Sequence, residues 1–155
     1  MRKIIAIILT IFLLTACQQK DSTTALTEFY LTYNEIDIKL NTNFTNTYVV
    51  LGEYNDKFIN ELSEQNNFIY SYDEFEIETT IKDNVEKIST IYFTSDSLTT
   101  NEGIKIGDSL NKMIEVYGNG YEVGNESIYT YRLNNTSIIF IMEDNKIISI
   151  QYNYL

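Results

Sequence analysis

The stretch that decides the fold of this chain is Ile104-Lys105-Ile106-Gly107-Asp108-Ser109-Leu110. Glycine, aspartate and serine are residue types that often precede helices. The side-chain oxygens of aspartate and serine accept hydrogen bonds from the free backbone N–H groups of the first turn. The next apolar residues recur at the spacing of one helical face, at Leu110, Met113, Ile114 and Tyr117. Gly118 is a residue type that ends helices. The stretch therefore predicts a helix that begins after Ser109 and ends at Tyr117.

Three strand patterns follow this helix. They cover Ser127 to Leu133, Ser137 to Met142, and Lys146 to Tyr154. Asn134-Asn135 and Glu143-Asp144-Asn145 separate the three patterns, and short polar segments of this kind join antiparallel strands. The second half of the chain thus predicts one helix and a three-stranded meander.

The first half of the chain carries the same pattern. Ile38 to Gly52 aligns with Ile104 to Gly118 at one constant offset. At a second, slightly shorter offset, two more pairs of segments align: Tyr70-Ser71-Tyr72 with Tyr129-Thr130-Tyr131, and Ile88 to Ile91 with Ile147 to Ile150. Three matches in the same order indicate an internal duplication.

The first copy is less regular than the second. A helix is predicted around Asn43 to Leu51, and strands are predicted near Phe68 to Asp73, Glu74 to Lys82, and Glu86 to Thr94. Two additional helices are predicted, at Ala25 to Tyr33 and at Asp56 to Gln65, where Phe58, Ile59 and Leu62 lie on one side.

The predicted fold class is α+β, with two helix-plus-three-stranded-meander repeats. A unit of about 60 residues cannot bury its apolar face alone, so the two copies are expected side by side. They would form a six-stranded antiparallel sheet with helices on one face and solvent on the other. We assign residues 26–95 to the first repeat and residues 96–155 to the second.

The N-terminus predicts an export signal and a lipid anchor. Arg2 and Lys3 precede an apolar run that is too short to span a membrane, which is typical of a signal peptide over residues 1–16. Leu14-Thr15-Ala16-Cys17 resembles the bacterial lipobox, which implies a diacylglycerol on the Cys17 sulfur. Residues 17–25 are then the lipidated cysteine and a polar, flexible tether.

Composition excludes several classes of function. The net charge is −11, and it becomes more negative still once Arg2 and Lys3 are removed with the signal peptide. Such a surface repels nucleic acid, so we expect no nucleic-acid partner. The chain has no histidine, and its one cysteine is assigned to the lipid, which excludes Ser-His-Asp and Cys-His catalysis and most transition-metal sites. We predict no enzymatic activity, no cofactor and no metal.

The segment 103–109, with its helix ending in Tyr117-Gly118 and the meander that follows, resembles a known family. It is similar to small lipoprotein modules related to the outer-membrane assembly lipoprotein BamE, and to tandem β-lactamase inhibitory proteins. The resemblance covers about residues 36 to 155. It implies a protein that acts by binding other proteins, and it assigns no binding residue to this chain.

Two motifs have both a catalytic or metal-binding interpretation and a structural one. Ser109-Leu110-Asn111-Lys112 has the Ser-x-x-Lys spacing of penicillin-recognising serine enzymes, but Ser109 is also the expected helix cap, and we favour the cap. Glu74, Glu76 and Glu78 alternate along a predicted strand. These carboxylates are interpreted as a solvated strand face, as a surface for protein recognition, or as a Ca²⁺ site.

Side-chain alternation places five residues together on the open side of the predicted sheet. They are Glu76, Glu78, Tyr92, Arg132 and Gln151. This mixture of aromatic and charged groups is typical of protein interfaces, although an ordinary wet sheet surface has the same composition.

The sequence therefore predicts a non-enzymatic, protein-binding lipoprotein of the cell envelope. Its expected partners are a membrane, through the diacylglycerol on Cys17, and a protein of unknown identity. We expect an extracytoplasmic position, on the cytoplasmic membrane of a Gram-positive rather than a Gram-negative cell. The alternative is a lipoprotein that binds Ca²⁺ or a small ligand, either on the glutamate row or in a groove between the repeats.

Overall fold

The computed structural model describes residues 27–63, 67–125 and 127–155, and these residues form ten strands and two helices. In chain order the elements are β1 (Tyr30–Tyr33), β2 (Ile36–Lys39), α1 (Phe44–Leu51), β3 (Asp56–Ile59), β4 (Phe68–Ser71), β5 (Phe75–Lys82), β6 (Val85–Phe93), α2 (Leu110–Tyr117), β7 (Glu122–Gly124), β8 (Ile128–Leu133), β9 (Thr136–Glu143) and β10 (Lys146–Tyr154).

Eight of the strands form one antiparallel sheet in the order β3-β4-β5-β6-β10-β9-β8-β7. The two halves of the sheet meet where β6 pairs with β10, and Gln151 there lies opposite Tyr92. β1 and β2 form a separate two-stranded hairpin. Tight turns of the kind that hairpins require join the long strands, since Asp83, Asn84, Asp144 and Asn145 all have φ between 49° and 60°.

The predicted fold class is wrong. The described chain is mainly β, its main sheet has eight strands rather than six, and its two helices have eight residues each. Each half contains a strand that the prediction missed, since β3 follows α1 and β7 follows α2 at the two edges of the sheet. Every residue of these two strands is exposed, so neither shows the alternation of apolar and polar residues that marks a half-buried strand.

Both additional helices are also wrong. The region from Asp56 to Gln65 contains β3, and the region from Ala25 to Tyr33 contains β1. Residues 25–26 and 64–66 lie outside the described residues. The apolar residues Phe58, Ile59 and Leu62 have helical spacing, but pairing of β3 with β4 overrides that pattern.

The two helices that frame the duplicated segments are confirmed. α2 spans Leu110–Tyr117, and the Ser109 side chain accepts a hydrogen bond from the backbone N–H of Lys112, as an N-cap does. α1 spans Phe44–Leu51, and the side chain of Asn43 caps it in the same way through the N–H of Thr45.

The loop before each helix is held to the last strand of its own half by two backbone hydrogen bonds. The N–H of Asn41 donates to the carbonyl of Ile88 at 2.7 Å, and the N–H of Ile88 donates to the carbonyl of Thr42 at 3.0 Å. In the second half, the N–H of Gly107 donates to the carbonyl of Ile147 at 2.7 Å. We call each such pair of bonds a loop clamp.

The second clamp is completed by the N–H of Ile147, which donates to the carbonyl of Asp108 at 2.9 Å. The clamped strand is bulged at the next residue in both halves, because Ser89 and Ile148 have no partner in the register of the sheet. The clamps and bulges of the two halves are thus related by the same two sequence offsets as the copies. The longer offset relates the two loops, and the shorter offset relates the two strands.

One face of the sheet carries the core, and the hairpin is a major part of its cover. Leu31 and Ile38 of the hairpin are fully buried, whereas each helix contributes one buried apolar side chain, Phe44 in α1 and Met113 in α2. From the sheet, the core receives Tyr70, Phe75, Ile77, Ile88, Ile91, Phe93, Tyr131, Ile138, Phe140, Met142, Ile147, Ile150 and Tyr152. The helices therefore share the covering layer with the hairpin, whereas the sequence predicted that they form it alone.

The signal peptide, Cys17 and almost all of the tether fall within residues 1–26, which lie outside the described residues. Among the residues from 27 onward that are described, neither helix has the length and hydropathy needed to cross a membrane.

Replacing Leu31 by alanine is expected to lower the free energy of unfolding by about 2–5 kcal/mol, because the side chain is fully buried and would leave a cavity. Urea unfolding followed by circular dichroism measures the loss. Leu62→Ala is the matched control, since Leu62 is 97% exposed and its loss should be within about 0.5 kcal/mol of zero. Equal losses in the two variants would contradict the placement of the hairpin in the core.

The buried tyrosines predict instability in alkali. Burial raises the pKa of Tyr72 and of Tyr131 to about 12, above the ordinary value of 10.0 that they regain on unfolding. Their contribution to stability is thus complete below pH 10 and is lost as the pH rises from 10 to 12. Phenolate absorbance should show exposed tyrosines titrating first and the buried ones together with loss of circular dichroism. Titration of all tyrosines in one step near pH 10, with the fold intact, would contradict this burial.

Candidate functional site

The candidate site is the sheet face opposite the core, which we call the open face. Its central row crosses neighbouring strands in register, from Glu76 on β5 to Tyr92 on β6, Gln151 on β10, Ile139 on β9 and Thr130 on β8. All five residues are partly exposed. Because strand pairing sets these positions, the row is a rigid surface.

The structure brings together three of the five residues predicted for this face. Glu76, Tyr92 and Gln151 lie on three consecutive strands and pair directly with one another. The row exists because β6 and β10 are joined at the centre of the sheet, a pairing that the sequence left open.

Glu78 lies beneath this surface rather than on it. It is only 6% exposed. One carboxylate oxygen accepts hydrogen bonds from the side-chain amides of Asn60 at 3.0 Å and Asn67 at 2.8 Å, and the other accepts from the Tyr92 hydroxyl at 2.7 Å. Three donors replace water around the buried carboxylate, so Glu78 holds the side chains of Asn60, Asn67 and Tyr92 in place.

The Tyr92 hydroxyl is correspondingly locked in its neutral form. Burial is the main reason why the pKa of Tyr92 is raised well above its ordinary value, and its hydrogen bond to Glu78 raises it further. A phenol with a raised pKa that already donates to a carboxylate is a poor general base at neutral pH. The pair is suited to fixing an aromatic ring on the open face.

Arg132 lies apart from the other four predicted residues. It is on β8, two strands from β10, and it is exposed. Its Nε atom donates to Glu122 of β7 at 3.1 Å. Because the exposed fractions of the two side chains are 49% and 66%, this ion pair contributes little to stability and is free to exchange partners.

The three glutamates of the alternating row bind different partners. Glu74 precedes β5 and accepts a hydrogen bond from Ser97, Glu76 accepts a long one of 3.4 Å from Ser71, and Glu78 is bound as described above. Within the described ranges, no group of three or more acidic, histidine or cysteine residues is arranged to hold a metal ion.

The Ser-x-x-Lys motif is used as a helix cap. Ser109 binds the N–H of Lys112, while the Lys112 ammonium lies 2.8 Å from a carboxylate oxygen of Asp108. The ammonium also donates to the carbonyl of Gly103. Lys112 therefore binds Asp108 and Gly103, and only its backbone contacts the serine hydroxyl.

A cavity of about 440 Å³ lies between the first part of β6 and the end of β10, at the junction of the two halves. It is lined by Asn41, Thr80, Ile81, Lys82, Lys87, Ile88, Ser89, Tyr154 and Leu155. This is the place in the structure that corresponds to the predicted groove between the repeats.

Sequence reasoning missed the two asparagines that bind Glu78. Both lie outside regular strands, Asn60 within the predicted helix Asp56 to Gln65 and Asn67 just after it, and no periodicity marks them. It also missed Glu86, which accepts hydrogen bonds from Tyr70 and Thr79. Comparison of the two copies could have singled out Glu86, because the matched position in the second copy is Asn145.

Comparisons with known proteins show the fold alone. No family model and no curated protein matches this chain. A crystal structure of an extracellular protein containing a SCP domain from Bacillus anthracis str. Ames is similar, with a TM-score of 0.58 and 9% identity. The match covers 74% of this chain and 44% of that one, so this chain corresponds to less than half of the larger protein.

A second crystal structure, of a DUF4309 family protein (YjgB) from Bacillus subtilis subsp. subtilis str. 168, matches with a TM-score of 0.41 and 10% identity. It covers 74% of this chain and 79% of that chain. The resemblance to BamE-related and β-lactamase inhibitory modules stays a prediction.

Replacing Glu78 by glutamine should lower the free energy of unfolding by about 1–3 kcal/mol. An amide has one oxygen for the three donors of Asn60, Asn67 and Tyr92, so at least one buried donor loses its partner. Glu76→Gln is the control, because Glu76 is partly exposed and keeps only one long hydrogen bond. Urea unfolding measures the loss of unfolding free energy in both variants. Equal losses would show that Glu78 is not buried as described.

Proposed function

We propose that this chain is a membrane-anchored, extracytoplasmic protein without enzymatic activity that binds another protein across the open face. The observation that carries the proposal is the in-register row of Glu76, Tyr92 and Gln151 across the centre of a rigid antiparallel sheet. The row combines the fixed aromatic ring of Tyr92 with the partly exposed polar side chains of Glu76 and Gln151.

The charge of the chain indicates the chemistry of the partner. The net charge is −11, and the open face presents Glu76 at its centre and Glu122 near its edge. The partner is a protein whose docking surface carries lysine and arginine. Glu122 is already paired with Arg132 in an exposed ion pair, which a partner's cation can replace.

The N-terminal sequence supports the location. A charged start, a short apolar run and Leu14-Thr15-Ala16-Cys17 are the features of an exported lipoprotein, and two acyl chains suffice for stable anchoring. We place the protein outside the cytoplasm on the cytoplasmic membrane of a Gram-positive cell. The similar structure from Bacillus anthracis is that of an extracellular protein.

Lipidation is tested by feeding cells an alkyne fatty acid and examining the protein after coupling to a fluorophore. The native chain should be labelled and found in the membrane fraction, and Cys17→Ser should lose both properties because it lacks the only thiol. An unlabelled native chain, or a labelled Cys17→Ser variant, would contradict the anchor.

Protein binding is tested by placing a photoactivatable amino acid at single positions in the anchored chain within native membranes. Gln151 and Thr130 report on the open face, while the exposed residues Lys105 and Asp83 serve as controls away from it. One partner should be captured at both open-face positions and at neither control. Its capture should decline with salt, because the proposed contact is between opposite charges.

Charge reversal of Glu76 to lysine should abolish this capture, since it places a cation opposite the partner's cations. Lys105→Glu changes charge by the same amount in the opposite direction at a control position and should leave capture intact. Equal capture at all four positions, or capture that Glu76→Lys does not reduce, would refute binding across the open face.

A further inference from the structure

Two small cavities occupy matched positions in the two halves of the protein, at the start of α1 and at the start of α2. The first measures about 230 Å³ and is lined by Phe44, Thr45, Tyr48, Tyr54, Tyr70 and Glu86. The second measures about 240 Å³ and is lined by Ser109, Leu110, Asn111 and Asn145. The same two sequence offsets that align the copies relate the two linings, since Phe44, Thr45 and Glu86 correspond to Leu110, Asn111 and Asn145.

The lining of the first cavity, which we call the aromatic cavity, is built from packed rings. The rings of Phe44 and Tyr70 stack with centroids 4.0 Å apart, and Tyr54 meets Tyr70 edge-on at 4.9 Å. Tyr48 lies 5.8 Å from Tyr54 and 6.3 Å from Phe44. Phe44 and Tyr70 are buried, whereas Tyr48 and Tyr54 are partly exposed.

A carboxylate stands beside the rings. One oxygen of Glu86 accepts hydrogen bonds from the hydroxyls of Tyr70 at 2.6 Å and Thr79 at 2.7 Å, and these fix its position. No lining residue of the aromatic cavity is cationic. In the described ranges the ion pairs join Lys39 with Glu28, Lys112 with Asp108, and Arg132 with Glu122, so Glu86 belongs to none of them.

The same cluster of rings already attracts a cation of the protein itself. The ammonium of Lys57 lies 4.7 Å from the ring centroid of Tyr70 and 4.0 Å from that of Phe68. Lys57 itself is not among the residues that line the aromatic cavity. Aromatic faces bind cations through the negative charge of their π-systems, and a nearby carboxylate adds to that attraction.

We propose that the aromatic cavity binds an alkylammonium group. Quaternary ammonium compounds are recognised by cages of aromatic rings, and a cage with a carboxylate provides both the rings and the counter-charge. The matched cavity in the second half has a similar volume and the same position, but it offers leucine, serine and amides instead. The chemistry for cation binding is therefore confined to the first of these two matched cavities. This site is distinct from the open face, and its test is independent of the proposed protein partner.

The proposal is tested by calorimetric titration of the purified full chain with choline and with its neutral isostere 3,3-dimethylbutan-1-ol, which has the same shape without the charge. Choline should bind saturably, and the neutral isostere should bind at least about ten-fold more weakly. Nα-acetyl-lysine amide is the second probe. Tighter binding of choline would identify a small quaternary cation as the ligand, whereas tighter binding of the lysine derivative would identify a side chain of a polypeptide.

Two variants locate the site. Tyr48→Ile installs the residue type found at the matched position 114 and should weaken choline binding about ten-fold, because a partly exposed ring of the lining is lost. Glu86→Gln removes the charge and keeps an acceptor for Tyr70 and Thr79, and it should also weaken binding. Asn111→Ala in the matched cavity and Glu143→Gln on an exposed residue should leave binding unchanged.

Circular dichroism and urea unfolding establish that each variant is folded before it is titrated. No saturable heat with either ammonium probe, or equal binding of choline and its neutral isostere, would overturn the proposal. So would binding that persists unchanged in a folded Tyr48→Ile variant, because the site would then lie elsewhere.

Discussion

The two loop clamps are the constraint on which the rest of this structure depends. Each clamp joins the loop before a helix to the last strand of the same half through both backbone groups of one residue, Ile88 or Ile147. Single backbone hydrogen bonds contribute only about 1 kcal/mol each, so the importance of the clamp lies in the register that it imposes. A shift of one residue would turn every side chain of the strand to the wrong face.

The clamps and bulges also explain how the open face is assembled. Beyond the bulges at Ser89 and Ile148, β6 and β10 retain the pairing that places Gln151 opposite Tyr92. The two halves thereby share one sheet, and neither half alone contains the complete row. At the first clamp, the start of α1 lies close to Glu86, which is why a helix residue and a strand carboxylate line the same small cavity.

The sequence predicts the elements that have strong local signals and misses those that depend on distant partners. Both ends of α2 could be predicted to the residue, because Ser109 precedes and Gly118 follows a run with regular helical spacing of apolar residues. The three meander strands of each half were recognisable from alternation and Asn- or Asp-containing turns. β3 and β7 are short edge strands that are set by pairing with β4 and β8, and the hairpin is set by burial of Leu31 and Ile38. Fold class was therefore wrong although several elements were right.

The candidate site shows the same division. Alternation correctly placed Glu76, Tyr92 and Gln151 on one face, but it could not reveal that Glu78 is buried by two asparagines from a neighbouring loop. The charge of that residue would suggest an exposed position, and only the three donors around its carboxylate explain its burial. Whether a polar side chain of the sheet is exposed or buried thus depends on which side chains outside the sheet form hydrogen bonds to it.

Native-state hydrogen exchange at the amides of Ile88 and Ile147 tests the central claim most directly. If the clamps fix β6 and β10 in the registers through which the two halves share one sheet, these two amides should exchange only through global unfolding, with equal protection that decreases together as urea is added. Amides of the edge strands β3 and β7 should exchange much faster in the same experiment. Rapid exchange at either clamp, or clearly different protection of the two, would show that the halves open independently and that the open face is not one rigid surface.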